Sequence, residues 1–144
     1  QINEAKEVIP MIDIQYTIET EQYGNKTGNR LFIPANIFRK GFTTPDLKQR
    51  VQDIHINYGY LDTDSICLQI PEGYTIESLP KTCQVTSSFG SFSSSLMIKD
   101  KEICIIHRLL MHRGIYPKEI YKDFLEFRKQ IAAQYSSKII LKKE

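Results

Sequence analysis

The sequence has no tryptophan, three cysteines and no apolar run approaching the roughly 20 residues that a membrane-spanning helix requires. Each shortage excludes something. An odd cysteine count cannot form a closed disulfide framework, although one pair bridges if the compartment oxidises and the Cα atoms come within about 7 Å. Nineteen Lys+Arg against seventeen Asp+Glu leave a net charge of +2. That argues against both a phosphate-neutralising nucleic-acid binder and a highly charged disordered tail. There is no glycine-rich phosphate loop and no Gly-x-Ser-x-Gly nucleophile turn. What is present, 144 residues of which 41% are hydrophobic, suffices for one domain with a core that needs no metal staple.

Most of the chain reads as β structure. Ile12, Ile14, Tyr16 and Ile18 alternate with polar residues, the period of a half-buried strand. The run Tyr23 to Asn29 has turn chemistry, so Arg30 to Pro34 is expected to answer Ile12 to Ile18 as a hairpin. Residues 36 to 50, with Arg39, Lys40, Lys48 and Arg50, read as a long basic connection. Strands are then expected at Val51 to Tyr60 and Ser65 to Pro71, with Asp62 to Ser65 as a turn between them. Pro71-Glu-Gly-Tyr74 is a further turn. Strands follow at Tyr74 to Ser78, Cys83 to Phe89 and Ser91 to Lys99, and Asp100-Lys101 is a hairpin tip. Glu102 to Arg113 is apolar in both alternating registers, which predicts a central strand covered on both faces.

The period then changes. Pro117 suits a first helical position. Ile120, Phe124, Phe127 and Ile131 form one apolar stripe, flanked by Tyr121, Leu125, Ala132 and Tyr135. A helix over about 117–135 is expected, followed by a strand at Lys138 to Lys142. Burying Phe124 or Phe127 would stabilise by roughly 1.5–3 kcal/mol each. The expected fold is mainly β: an antiparallel β-sandwich, immunoglobulin-like or related, with one long C-terminal helix packed on a sheet and a final short strand. Residues 1–144 read as one domain. Gln1 to Pro10 is polar and carries neither Met nor a charged-then-apolar leader, so it reads as the lead-in of a piece of a longer chain.

The candidate chemistry is thin. Cys104 and His107 lie three apart on a strand and so point to opposite faces, which denies them a shared metal ion. A thiol–imidazole pair would have to come from separate strands, such as Cys67 or Cys83 with His55 or His112, and no helix start activates any of these thiols. Asp62 and Asp64 read as turn formers, since the remaining oxygen ligands of a calcium loop are missing. His107, Arg108, His112 and Arg113 with Arg30, Arg39, Lys40 and Arg50 read as scattered cations on a solvated face. Tyr23, Tyr58, Tyr60 and Tyr74 are the candidates for a partner or sugar surface. Asn25-Lys26-Thr27 matches a glycosylation acceptor. No catalytic, cofactor or metal residue is assigned, and no cofactor is expected.

One resemblance adds to this reading. Leu68-Gln-Ile-Pro-Glu-Gly-Tyr74, Ser78-Leu-Pro80, Ser87-Ser-Phe-Gly90, His107-Arg108, Gly114 to Tyr121, Phe124, Phe127 and Ser137 to Lys142 are the residues that carry it. Over residues 10 to 142 the chain resembles the C-terminal domain of unknown function that follows the transglutaminase-like core in large extracytoplasmic proteins of some Gram-negative bacteria. The resemblance implies a non-catalytic accessory domain outside the cytoplasm, with the preceding core as its partner. It implies that the core alone holds the Cys–His–Asp machinery. Two rivals stand beside it: a glycan- or ligand-binding sandwich in its own right, and a small thiol enzyme.

Overall fold

A computed structural model describes residues 2–5, 10–21, 23–36, 38, 44–47 and 50–144. Twelve strands and one α-helix follow in chain order: β1 (Ile2–Ala5), β2 (Met11–Ile14), β3 (Asn25–Thr27), β4 (Arg30–Pro34), β5 (Ile54–Ile56), β6 (Tyr60–Gln69), β7 (Tyr74–Ser78), β8 (Cys83–Ser87), β9 (Gly90–Lys99), β10 (Glu102–Met111), β11 (Gly114–Tyr116), α1 (Tyr121–Tyr135) and β12 (Lys138–Lys143). A single 3₁₀ turn, Lys118–Ile120, leads into α1 behind Pro117. All pairings are antiparallel. One four-stranded sheet has the order β6-β10-β9-β8 and the other β3-β4-β12-β7; β1-β2 and β11-β5 are separate two-stranded pairs.

The two four-stranded sheets face one another through an aliphatic core of Ile33, Ala35, Ile103, Ile105, Ile139 and Leu141. This is the expected sandwich. The helix covers the remainder of the same sheet face through Phe89, Phe92, Leu109, Met111, Tyr121, Leu125, Phe127, Ile131 and Tyr135. The buried helical face is centred on Tyr121, Leu125, Phe127, Ile131 and Tyr135, while Ile120 and Phe124 are half-buried. The expected stripe is thus rotated slightly toward its flank.

Strand β10 holds the layers together. Ile103, Ile105, His107, Leu109 and Met111 alternate inward and are all buried. The first two meet the second sheet and the last two meet the helix. Its position between β6 and β9 is central, as predicted. The expectation of cover on both faces is corrected: Arg108 and Leu110 are exposed, and Cys104 and Ile106 are half-buried. Their apolar character gives a flat, partly greasy outer face.

Two local expectations also change. Arg30 to Pro34 does not pair with Ile12 to Ile18. It pairs with β3 across a Gly28-Asn29 turn and with β12 on its other side, while β2 pairs with β1. The turn chemistry holds at Gly28-Asn29, while Asn25 to Thr27 ahead of it form a strand of their own. Nor is Asp62 to Ser65 a turn: β6 runs unbroken through it with Asp62 and Asp64 on the inner face. Those carboxylates are tolerated inside because polar partners meet them there. The Pro71–Tyr74 turn is as expected, closed by a Tyr74 N–H to Pro71 C=O hydrogen bond of 3.2 Å with Gly73 at φ +75°. Gly90 starts β9 where a Cβ would lie 1.9 Å from the Leu110 carbonyl oxygen, so no side chain fits.

Candidate functional site

The cross-strand register lines up Cys83, Ser94, His107 and Asp64 in one row on the inner face of the four-stranded sheet. This row is the seam between the aliphatic and aromatic cores. His107 is 1% exposed and lies between Phe92 and Tyr135, with ring centroids at 5.7 and 5.1 Å. The Asn36 amide Nδ2, arriving just after β4, stands 3.4 Å from His107 Nδ1 and 3.5 Å from the Asp64 carboxylate. With Nδ1 accepting from Asn36, a neutral imidazole carries its proton on Nε2, an atom that finds no partner among the described residues.

The electrostatics follow from burial. Desolvation pushes the His107 imidazole below its ordinary value, and the nearby Asp64 carboxylate opposes this in part. Tyr135 is pushed well above the usual phenol range, first by burial and then by the charges of Asp64 and Asp62. Arg128, about two helical turns before Tyr135, is pulled down by burial and supported by Tyr60. Its Nε donates to Thr44 Oγ1 at 3.4 Å, and its guanidinium lies 6.0 Å from the Phe124 ring centroid.

Such a row superficially resembles a nucleophile, a base and an acid. Geometry separates them. Cys83 and His107 sit two strands apart, about 10 Å between backbones, with Ser94 between. Burial raises the Cys83 thiol, so thiolate is scarce. The other proposed thiol partners are farther from use: Cys67 is bonded to Cys104, His55 and His112 are exposed, and His112 Nδ1 lies 3.3 Å from the Ser88 carbonyl. Of the three cysteines one pair does bridge: the Cys67–Cys104 disulfide crosses β6 and β10, where paired strands bring the Cα atoms to 4.1 Å. The side chains of Cys104 and His107 do face opposite ways.

The tyrosine candidates do not gather. Tyr23 and Tyr74 pack against the aliphatic core, and the Tyr23 hydroxyl donates to the Pro34 carbonyl at 3.0 Å. Tyr58 is 80% exposed, and Tyr60 stands by Arg128. The cations are also dispersed. Arg30 forms a two-pronged pair with Glu77 at 2.6 and 2.7 Å, Arg50 lies over the Tyr121 ring at 4.7 Å, and Arg108 is on the opposite sheet face from His107. Arg39, Lys40 and Lys48 lie outside the described residues. Asn25-Lys26-Thr27 forms exposed strand β3.

Sequence reasoning missed the inner-face pair Asp62 and Asp64. The signal was available in the even-numbered alternation Asp62, Asp64, Ile66, Leu68, Ile70, continuous with a strand that faces inward. The helices of the described residues include none long and apolar enough to cross a membrane.

Comparison with known families gives one result. The family described as a Domain of Unknown Function with a solved structure (DUF3858) matches residues 29–141. The chain belongs to the DUF3858 family. No curated protein and no solved structure matches it significantly.

Proposed function

We propose that this chain is a non-catalytic accessory module that packs against a transglutaminase-like core of its parent protein, outside the cytoplasm. The observation that carries the reading is the β1–β2 arm. Its two strands pair only with each other among the described residues, and Met11, Ile12 and Ile14 are exposed, Ile12 by 70% and Ile14 by 49%. A lone two-stranded hairpin is marginal in water. An arm with an apolar side left open gains stability by docking on a second body, and inter-domain contacts of this kind bury roughly 600–1,500 Å².

The closed seam around His107 supports the non-catalytic half of the reading, because its imidazole is buried and held below its ordinary value and burial raises the Cys83 thiol. The Cys67–Cys104 bridge supports the compartment, since disulfides persist where the surroundings oxidise. Calorimetric titration of the separately produced core with this chain tests the proposal. The expected result is saturable binding that weakens at least tenfold for the double variant Ile12→Glu with Ile14→Glu, whose own fold is unchanged. Heat-free mixing, or equal binding by the variant, defeats the reading.

A further inference from the structure

The sandwich is open along one long edge. Strand β6 is the outermost of its sheet, so one side of its ten-residue backbone is unpaired among the described residues. The register says which groups are left over. Directly opposed residues in antiparallel strands alternate between hydrogen-bonded pairs near 5.5 Å and non-hydrogen-bonded pairs near 4.5 Å between Cα atoms. Cys67 and Cys104 are 4.1 Å apart, which marks a non-hydrogen-bonded pair. The Ile70 N–H to Lys101 C=O bond of 2.7 Å, three residues along, fits the same phase. The N–H and C=O groups of Ser65, Cys67 and Gln69 therefore point away from β10, toward the free side.

They point into a groove of about 890 Å³, within the range of built ligand sites. Five consecutive residues of the β6 edge, Ser65 to Gln69, line one wall. The extended segment Tyr16 to Glu21 forms the other wall without any strand pairing of its own. Leu31, Ile33 and Phe38 add apolar surface. Among the described residues, Glu19, Glu21 and Glu102 line the groove and no Lys, Arg or His does; Lys99 stands across from Glu102 on β9 but outside it.

We infer that this groove takes an extended basic peptide of a partner protein, added as a fifth strand along β6. Main-chain hydrogen bonds to Ser65, Cys67 and Gln69 supply the register, and alternate side chains fall on the apolar wall and the three carboxylates. Exposed edges invite pairing; the inward Asp62 and Asp64 guard the first half of β6, and Ser65 to Gln69 carry neither charge nor Pro to discourage it. The groove is independent of the arm's docking on a core, so the two can fail separately.

The test uses this chain and a capped, fluorescein-labelled octapeptide of alternating Lys and Val. Saturable binding is expected at low ionic strength. Amide exchange should slow at Ser65, Cys67 and Gln69 and stay unchanged at Ile66 and Leu68, which already bond to β10. Replacing Lys by Glu in the peptide, N-methylating its main chain, or combining Glu19→Gln, Glu21→Gln and Glu102→Gln should each weaken binding at least tenfold. Glu19 and Glu21 are exposed, Glu102 is half-buried and accepts from Gln69 Nε2 at 3.0 Å, and the variant's near-ultraviolet spectrum checks its fold. Absence of binding up to millimolar peptide overturns the inference. So does equal binding of the acidic or N-methylated peptide, or protection of the three amides by self-association without peptide.

Discussion

The two halves of the interior differ in kind although one strand face builds both. Toward the start of β10, Ile103 and Ile105 meet Ile139 and Leu141 of the second sheet, a purely aliphatic contact. Toward its end, Leu109 and Met111 meet a helix through Phe89, Phe92, Tyr121, Phe127 and Tyr135. Two facing sheets interdigitate branched side chains across about 10 Å. A rounded helix on a twisted sheet leaves wider gaps, which rings fill; Phe89 meets Phe124 edge-on at 5.0 Å. The lesson is that a change of covering layer can be read as a change of side-chain type along one strand. His107 marks where the change occurs.

Truncation separates the halves most sharply. Phe127→Ala and Ile131→Ala should cost about 3–5 and 2–5 kcal/mol in chemical denaturation, for these side chains are 2% and 0% exposed. Ile105→Ala should cost about 2–5 kcal/mol by the same cavity argument. If the seam joins the cores into one unit, all three substitutions shift a single transition; two resolved transitions would show that the halves unfold apart.

Removing the cross-link comes next. The bridge joins positions 37 apart in sequence, so its loss relaxes the unfolded chain by about 3–4 kcal/mol at most. The double variant Cys67→Ser with Cys104→Ser should lower the denaturation midpoint without altering the folded spectrum. Since β6 and β10 lie at the back of both cores, a selective effect on one half would contradict their shared sheet.

The pH dependence is the subtlest. His107 is depressed when folded, so below the ordinary imidazole value of 6.5 the unfolded chain binds the extra proton first. Stability is therefore full above that pH and declines as pH falls toward the folded value. Tyr135 acts at the other extreme: raised when folded, it contributes fully below the ordinary value of 10.0 and loses that contribution as pH climbs above it. His107→Gln should flatten the acid limb and Tyr135→Phe the alkaline one, as followed by denaturation at stepped pH.

Much of the sandwich and its lid was legible in the sequence because period two and period 3.6 leave distinct traces. The Pro71–Tyr74 turn, the Asp100-Lys101 hairpin tip, the helix behind Pro117 and the last strand all lie where local chemistry placed them. Pairing was less legible. Ile12 to Ile18 alternates like a core strand, yet β2 pairs with β1, a choice that depends on distant competition for β4. The seam was hidden for a related reason. Asp62 and Asp64 resemble turn residues until Asn36, His107 and Tyr135, from three other parts of the chain, are known to surround them. The Cys67–Cys104 bridge likewise follows from strand order, which spacing alone does not encode.

The seam as a sealed joint holding two cores together is probed most directly by following the His107 Cε1 proton by nuclear magnetic resonance as pH is varied. The account predicts titration below 6.5, with slow exchange of the Nε2 proton with solvent. Titration at or above that value, with rapid solvent exchange, would show an open and chargeable imidazole and contradict it.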